Sequence, residues 1–288
     1  MTQSGQTTPD SNLEWSSWLG ELLGTAAATL QVELVDQPTP GLQGRTIGTR
    51  VRSCQTDRWL RVVTEPPGWG FGPMWTGNAE ANQVTGVPHP RVHDVTEWDD
   101  STTGRRVRAE LMSLAPGPAV AADMVLRAPV TLDEAWWRQL GASLGALVAQ
   151  PTERECLGSE LLARRLLAGF GVTVDPRAVV WSTAHGDLHW ANLTNPGCWI
   201  LDWEAWGSAP AGYDAALLHA ASLLQPEIAH RVRQTFPEVL DGPGGAIAQL
   251  AAAAKMLRLA EQGHHLDLAV PLHRHVRELL ATEGLGGA

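Results

Sequence analysis

The sequence predicts an α+β fold in two segregated parts, a β-rich first half and an α-rich second half. Two observations lead there. From residue 29 to residue 114 the chain reads as short β-branched runs divided by Pro, Gly and Asp turn signals. After the "APGP" break at residues 115–118 the apolar spacing changes to helical. Strands followed by helices point to separate β and α layers rather than alternating βαβ units. With 288 residues, 44% of them hydrophobic, the chain is long enough for one large or two smaller buried cores.

The elements follow in order. Residues 1–12, rich in Thr, Gln and Ser, are expected to form a flexible tail. "LEWSSWLGELLGTAA" reads as an amphipathic helix with Leu13, Trp15, Trp18, Leu19, Leu22 and Leu23 on one side. "TLQVELV", "RTIGTRVRS" and "RWLRVVTE" read as strands. "PPGWGFGPMWTGN" is expected to be a loop, with Trp69, Trp75 and Trp98 packing the core of this half, or else lining a substrate wall. "PRVHDVTEW" and "RRVRAELMSL" are two further strands joined by the turn "DDSTTG". Thr131 and Glu134 have the spacing of a capping box. The helix they would start carries Trp137, Leu140, Leu144, Leu147 and Val148 as a core stripe. "ECLGSELLARRLLAGFG" is a second helix, stopped by Gly169 or Gly171. Helices resume near 212–225, 227–236, 244–262 and 266–282. A cleft between two such lobes is a usual place for a small-molecule site.

Composition excludes several function classes. The net charge of −10 argues against nucleic-acid or membrane-surface binding and leans toward a cationic ligand. There is no long apolar run for a membrane span and no basic-then-apolar leader, so a cytoplasmic protein is expected. Cys54, Cys156 and Cys198 are too dispersed for a disulfide framework or a metal cluster. The chain holds a single lysine, Lys255, against twenty arginines, so cationic chemistry in the first half must use arginine or histidine.

The densest chemistry lies in "AHGDLHWANLTNPGCWILDWEAW", residues 184–206. Asp187 and Asn192 are five residues apart in an irregular stretch. Asp202 follows a short apolar run expected to be a strand. Two carboxylates and a carboxamide are hard oxygen donors and suit Mg²⁺, which takes its remaining positions from water and phosphate. His185 and His189 have i, i+4 spacing, but Gly186 breaks any helix that would make them a zinc pair. Asp, Asn and Gly are also ordinary loop formers.

"HGDLHWAN", then "ILDWE", then "GYDAALL" together resemble the aminoglycoside phosphotransferase and choline kinase-like family, with its protein kinase-like fold. The resemblance is strong over residues 184–218 and weaker elsewhere, with "ELMSLAPG" as the hinge. It implies a bilobal fold in which 13–114 is a nucleotide-binding lobe and 115–288 a catalytic and substrate lobe. It implies transfer of the γ-phosphoryl group of ATP or GTP to a small hydroxyl-bearing substrate, with Mg²⁺. Asp187 would accept or orient the hydroxyl proton, and Asn192 and Asp202 would bind Mg²⁺. His185 would support the loop, His189 would stand behind the ligands, and Tyr213 and Asp214 would brace the loop against the helical lobe. Met112 would lie behind the purine, with the Ser113 carbonyl and Ala115 amide on its edge.

Two departures from the family pattern keep other readings open. The third-strand lysine is replaced by Arg61 in "DRWLRVVTE", with Glu80 as its expected partner. Arginine binds phosphate through a fork and is not a lysine equivalent. "PTPGLQG", with Gly41 and Gly44, is not a phosphate-binding glycine loop and reads equally well as a β-turn. An alternative is therefore a kinase-like binding or scaffold protein with weak turnover. A peptide-modifying enzyme is a third reading, disfavoured by the dozen residues "WEAWGSAPAGYD" where an activation loop would stand. Glu204 and Glu227 are the acidic candidates for facing a cationic substrate.

Overall fold

The computed structural model describes residues 12–41 and 44–283, without the side chains of 12–14 and 283. The expected tail at 1–11, Leu42 and Gln43 of the glycine segment, and the side chain of Leu13 lie outside the described residues. The chain forms two compact units. One comprises 1–82 with 90–115, the other 83–89 with 116–288.

The first unit is an antiparallel sheet with a helix on one face. Helix α1 (Asn12–Thr29) leads into the short strands β1 (Glu33–Leu34) and β2 (Thr39–Pro40). Then come β3 (Thr46–Ser53), β4 (Thr56–Glu65), helix α2 (Pro73–Glu80), β5 (Val92–Asp99) and β6 (Arg106–Ser113). The strand order is β1-β3-β4-β6-β5, with β2 also paired to β3. Period-2 alternation sorts the side chains. Leu60 and Val62 of β4 and Val107, Ala109 and Leu111 of β6 pack with Trp18, Leu19, Leu22 and Leu23 of α1. The intervening residues, Arg61 on β4 and Arg108 and Glu110 on β6, therefore share the other face. The Gly44 N–H donates to the Gly41 carbonyl at 3.3 Å. The tryptophans divide: Trp75 is buried, Trp98 packs against the core, and Trp69 is 74% exposed. Trp69 sits among glycines and prolines outside the sheet, so the core role expected for it does not hold.

The second unit is mainly helical. Helix α3 (Glu134–Val148) is capped by Asp133, whose side chain accepts from the Trp136 amide. Asp133 and not Thr131 is the cap, since Glu134 is already the first helical residue. Helix α4 (Ser159–Phe170) ends at Gly171 in the left-handed region, φ 67°. Strands β7 (Trp181–Ala184) and β8 (Gly207–Pro210) pair antiparallel, Ala184 opposite Gly207. They close the base of the polar segment 185–206. Helices α5 (Tyr213–Ala221), α6 (Pro226–Thr235), α7 (Pro237–Leu240), α8 (Gly245–Glu261) and α9 (Ala269–Glu283) follow. Buried alanines on both α5 and α8 let these two helices approach closely. No helix among the described residues is long and apolar enough to cross a membrane.

Candidate active site

The polar segment is anchored by aromatic residues on each side. Trp190, Trp203 and Trp206 are each at most 1% exposed. The Trp190 indole donates to Ser222 Oγ at 2.9 Å and stacks near Trp136. The Trp203 indole donates to the Ile200 carbonyl at 2.8 Å and meets the His185 ring edge-on. Each such ring removes roughly 150–250 Å² from water. That is enough to fix a loop otherwise made of polar residues and glycine.

Asp214, in the first turn of α5, accepts from the backbone N–H groups of His185 (2.7 Å) and Gly186 (2.9 Å). The two bonds aim the loop toward Asp187. Burial raises the Asp214 carboxyl to about 6, against the opposing pull of those two N–H groups. His185 is fully buried. Its Nε2 donates to the Leu201 carbonyl at 2.9 Å, leaving Nδ1 to accept from the Asp187 amide at 3.4 Å. Burial pushes its imidazole down to about 4 and so keeps it neutral. His185 thus ties the start of the loop to the residue preceding Asp202.

Asn192 and Asp202 are brought to neighbouring backbone positions by a small hairpin. Leu193 bridges Ile200, Thr194 N–H donates to Trp199, and Leu201 N–H donates to the Asn192 carbonyl at 2.8 Å. A turn with a cis Asn195–Pro196 bond joins the two arms. The expected apolar strand is thus a single bridge at Ile200 rather than a longer run. The Asn192 amide donates to the Asp187 carbonyl at 3.0 Å and lies 3.2 Å from His189 Nε2. With the NH₂ group so engaged, Oδ1 is the side-chain atom left to act as a donor to a cation. Asp202 is exposed and adopts a left-handed backbone, φ 60°. A carboxamide oxygen and an exposed carboxylate fit a hard cation that keeps most of its shell as water or phosphate oxygen. No group of three His, Cys, Asp or Glu side chains among the described residues forms a closed metal cage.

Asp187 has a partner that motif spacing did not identify. Lys255 on α8 places Nζ 2.5 Å from Asp187 Oδ1 and 3.1 Å from the Gly186 carbonyl. His189 Nε2 lies 3.5 Å from Asp187 Oδ2. Burial works against ionisation of Asp187, yet Lys255 and His189 hold its carboxyl well below the usual range. Burial likewise works against the Lys255 charge, and Asp187 more than restores it.

The remaining sequence candidates lie in the first unit. Arg61 Nη1 is 3.4 Å from Glu110 Oε2, its cross-strand neighbour. Glu110 is 1% exposed and also accepts from Asn78 (2.9 Å) and Arg108 (2.8 Å). Glu80, at the end of α2, accepts from Thr76. Met112 is buried on β6. Ser113 donates its N–H to the Arg91 carbonyl, and Ala115 is the last residue of this unit. Of the two acidic substrate candidates, Glu204 is buried while Glu227 stands in the exposed first turn of α6. The three cysteines are free.

No protein-family model matches the chain, and no curated protein matches it. Solved structures do. Aminoglycoside phosphotransferase APH(4)-Ia aligns at a TM-score of 0.62 and 10% identity, covering 94% of this chain and 99% of that one. A thermostable mutant of the same enzyme, solved as a ternary complex with AMP-PNP and hygromycin B, gives 0.61 at 13% identity, with coverages of 88% and 96%. A putative aminoglycoside phosphotransferase from Ralstonia eutropha JMP134 gives 0.52 at 15% identity, with coverages of 90% and 95%. At these identities the likeness establishes architecture: the chain has the bilobal, protein kinase-like fold of the aminoglycoside phosphotransferases.

Proposed function

We propose that the protein is a nucleotide- and Mg²⁺-dependent phosphotransferase that moves the γ-phosphoryl group of ATP or GTP to a hydroxyl of a small molecule. The observation that carries this reading is the hairpin that seats Asn192 beside the Asp202 segment, with the Asn192 amide also bonded to the Asp187 backbone. Three oxygen-bearing side chains with complementary tasks are thereby held by one short stretch of chain.

Asp187 is ionised and fixed by Lys255, so it accepts a hydrogen bond from a substrate hydroxyl and aligns the oxygen for in-line attack. The proton is taken up late, as the phosphoryl bond forms, because so acidic a carboxyl is a weak base in the ground state. Asn192 Oδ1 and Asp202 would hold Mg²⁺, which supplies charge neutralisation on the phosphate oxygens. Neutral His185 keeps the two ends of the segment together. In the first unit Arg61 offers a guanidinium for phosphate, and Met112, Ser113 and Ala115 form the adenine-side edge. The single 3-10 turn and short strand between Asp202 and α5 leave no long segment for docking a peptide, which favours small substrates. The net charge of −10 favours cationic ones.

One observation favours a second reading, a kinase-like binding protein. Arg61 is held by buried Glu110, so its fork is partly spent inside the protein. A screen of hydroxyl compounds for ADP release separates the two. Turnover that vanishes in Asp187→Ala while nucleotide still raises Tm supports transfer. Nucleotide binding with no ADP release from any compound supports the binding protein. Asp202→Ala should reduce the Mg²⁺-dependent part of the nucleotide shift, and an unchanged shift would remove Asp202 from the site.

A further inference from the structure

Lys255 is the one lysine of a chain that uses arginine twenty times. It is not at the surface. Its side chain is 19% exposed, on a helix whose neighbouring residues Ala251, Ala252, Ala253 and Met256 are buried. The close approach of α5 and α8 carries it to the loop. Its two bonds, to the Gly186 carbonyl and to Asp187 Oδ1, converge on adjacent residues. An ammonium is a compact charge with freely directed donors. A guanidinium is a broader plane that can keep the charge beside Asp187 but not make both bonds in the same way. Gly186 is already in contact on its other side, where an added Cβ would meet Cys156 Sγ at 2.3 Å. The retention of lysine here, in an arginine-using chain, has a geometric reason.

We infer that Lys255 is a positioning residue for phosphoryl transfer: by binding Oδ1 and the preceding carbonyl together, it fixes the rotation of the Asp187 carboxylate, leaving Oδ2, which also lies 3.5 Å from His189 Nε2, to meet the substrate hydroxyl. The inference rests on the phosphotransferase reading and adds to it a residue 68 positions beyond the base. Lys255 does not touch substrate. Its effect is on how often Asp187 is aligned, so it acts on kcat and leaves nucleotide affinity alone. Misalignment of a reacting group by about 1 Å costs on the order of 100-fold in rate.

Two measurements test this. Lys255→Met should lower kcat by about 100-fold with the nucleotide KM within about twofold of wild type, and Lys255→Arg should recover part of the loss. Lys255→Met at wild-type kcat refutes the positioning role. So does a loss carried entirely by KM, or an equal loss in Lys255→Arg and Lys255→Met. The second measurement needs no turnover. Since no other lysine is present, acetylation by an amine-reactive ester, read by peptide mass spectrometry at one fixed pH, reports Lys255 alone. Its rate in the folded protein should be at least about tenfold below that of the urea-unfolded chain, and Asp187→Asn should raise it. An unchanged rate in Asp187→Asn means the pair does not form and overturns the inference, even if Lys255→Met fails to fold. Absence of any transfer by the wild type refutes the phosphotransferase reading and this one with it. Wild-type turnover that survives Lys255→Met refutes this one alone.

Discussion

Replacing Gly186 by alanine should destabilise the second unit through two additive causes. The backbone there has φ +82°, a region in which a Cβ costs about 1–2 kcal/mol. The added methyl would also sit 2.3 Å from Cys156 Sγ and 2.7 Å from the Ala205 carbonyl. Overpacking of this kind costs about 1–3 kcal/mol. The sum is about 2–5 kcal/mol, or a fall in Tm of roughly 5–15 °C for a protein of this size. Urea denaturation of wild type, Gly186→Ala, Cys156→Ala and the double variant gives the assay. Cys156→Ala removes the sulfur but not the Ala205 carbonyl. The double variant should therefore recover part of the loss, about 1 kcal/mol, and not the strain from φ. A Gly186→Ala protein within about 0.5 kcal/mol of wild type would refute the close approach. A cycle with no coupling to Cys156 would refute its assignment to that sulfur.

Two other perturbations follow from the same geometry. Burial pushes His219 down to about 3, with His275 and Arg233 adding to the effect, so the folded state keeps it neutral while an unfolded chain protonates it near 6.5. Stability from this group is full above about pH 6.5 and is lost as pH falls toward about 3. The loss is about 2 kcal/mol by pH 5, and His219→Gln should flatten the wild-type decline between pH 6 and 4. Glu110→Ala takes the shared carboxylate from Arg61 and Arg108 on the sheet face opposite α1, leaving Arg108 with Glu97. It should cost about 3–5 kcal/mol, measured by thermal denaturation. A loss under about 1 kcal/mol would mean that water reaches this network.

Much of this was legible because it is local. Strand alternation, the glycine stop at Gly171 and the helices after 212 are set by neighbours a few residues away, and their ends agree within a few residues. Asp187, Asn192 and Asp202 could be singled out because one short segment carries all three. Other features depend on distant packing. Lys255 stands among alanines and leucines in a helix and reads as one solvated position; its only signal was its rarity. One carboxylate at 3.4 Å from Arg61 is Glu110 on β6, a neighbour set by strand register, which spacing along the chain does not reveal. The cap fell to Asp133 and not Thr131 because the helix begins only at Glu134. Trp69 is exposed because aromatic character alone does not say which side of a loop meets the core.

The hairpin that carries Asn192 and Asp202 works as a ruler. The bridge of Leu193 with Ile200 lies between the tip and the Asn192–Leu201 hydrogen bond, next to Asp202. Residues of the tip can lengthen, shorten or change character while the span between the donors stays as the ladder sets it. Variation in that tip is a route by which such a chain can alter what surrounds Asn192 and Asp202 without altering the spacing between them.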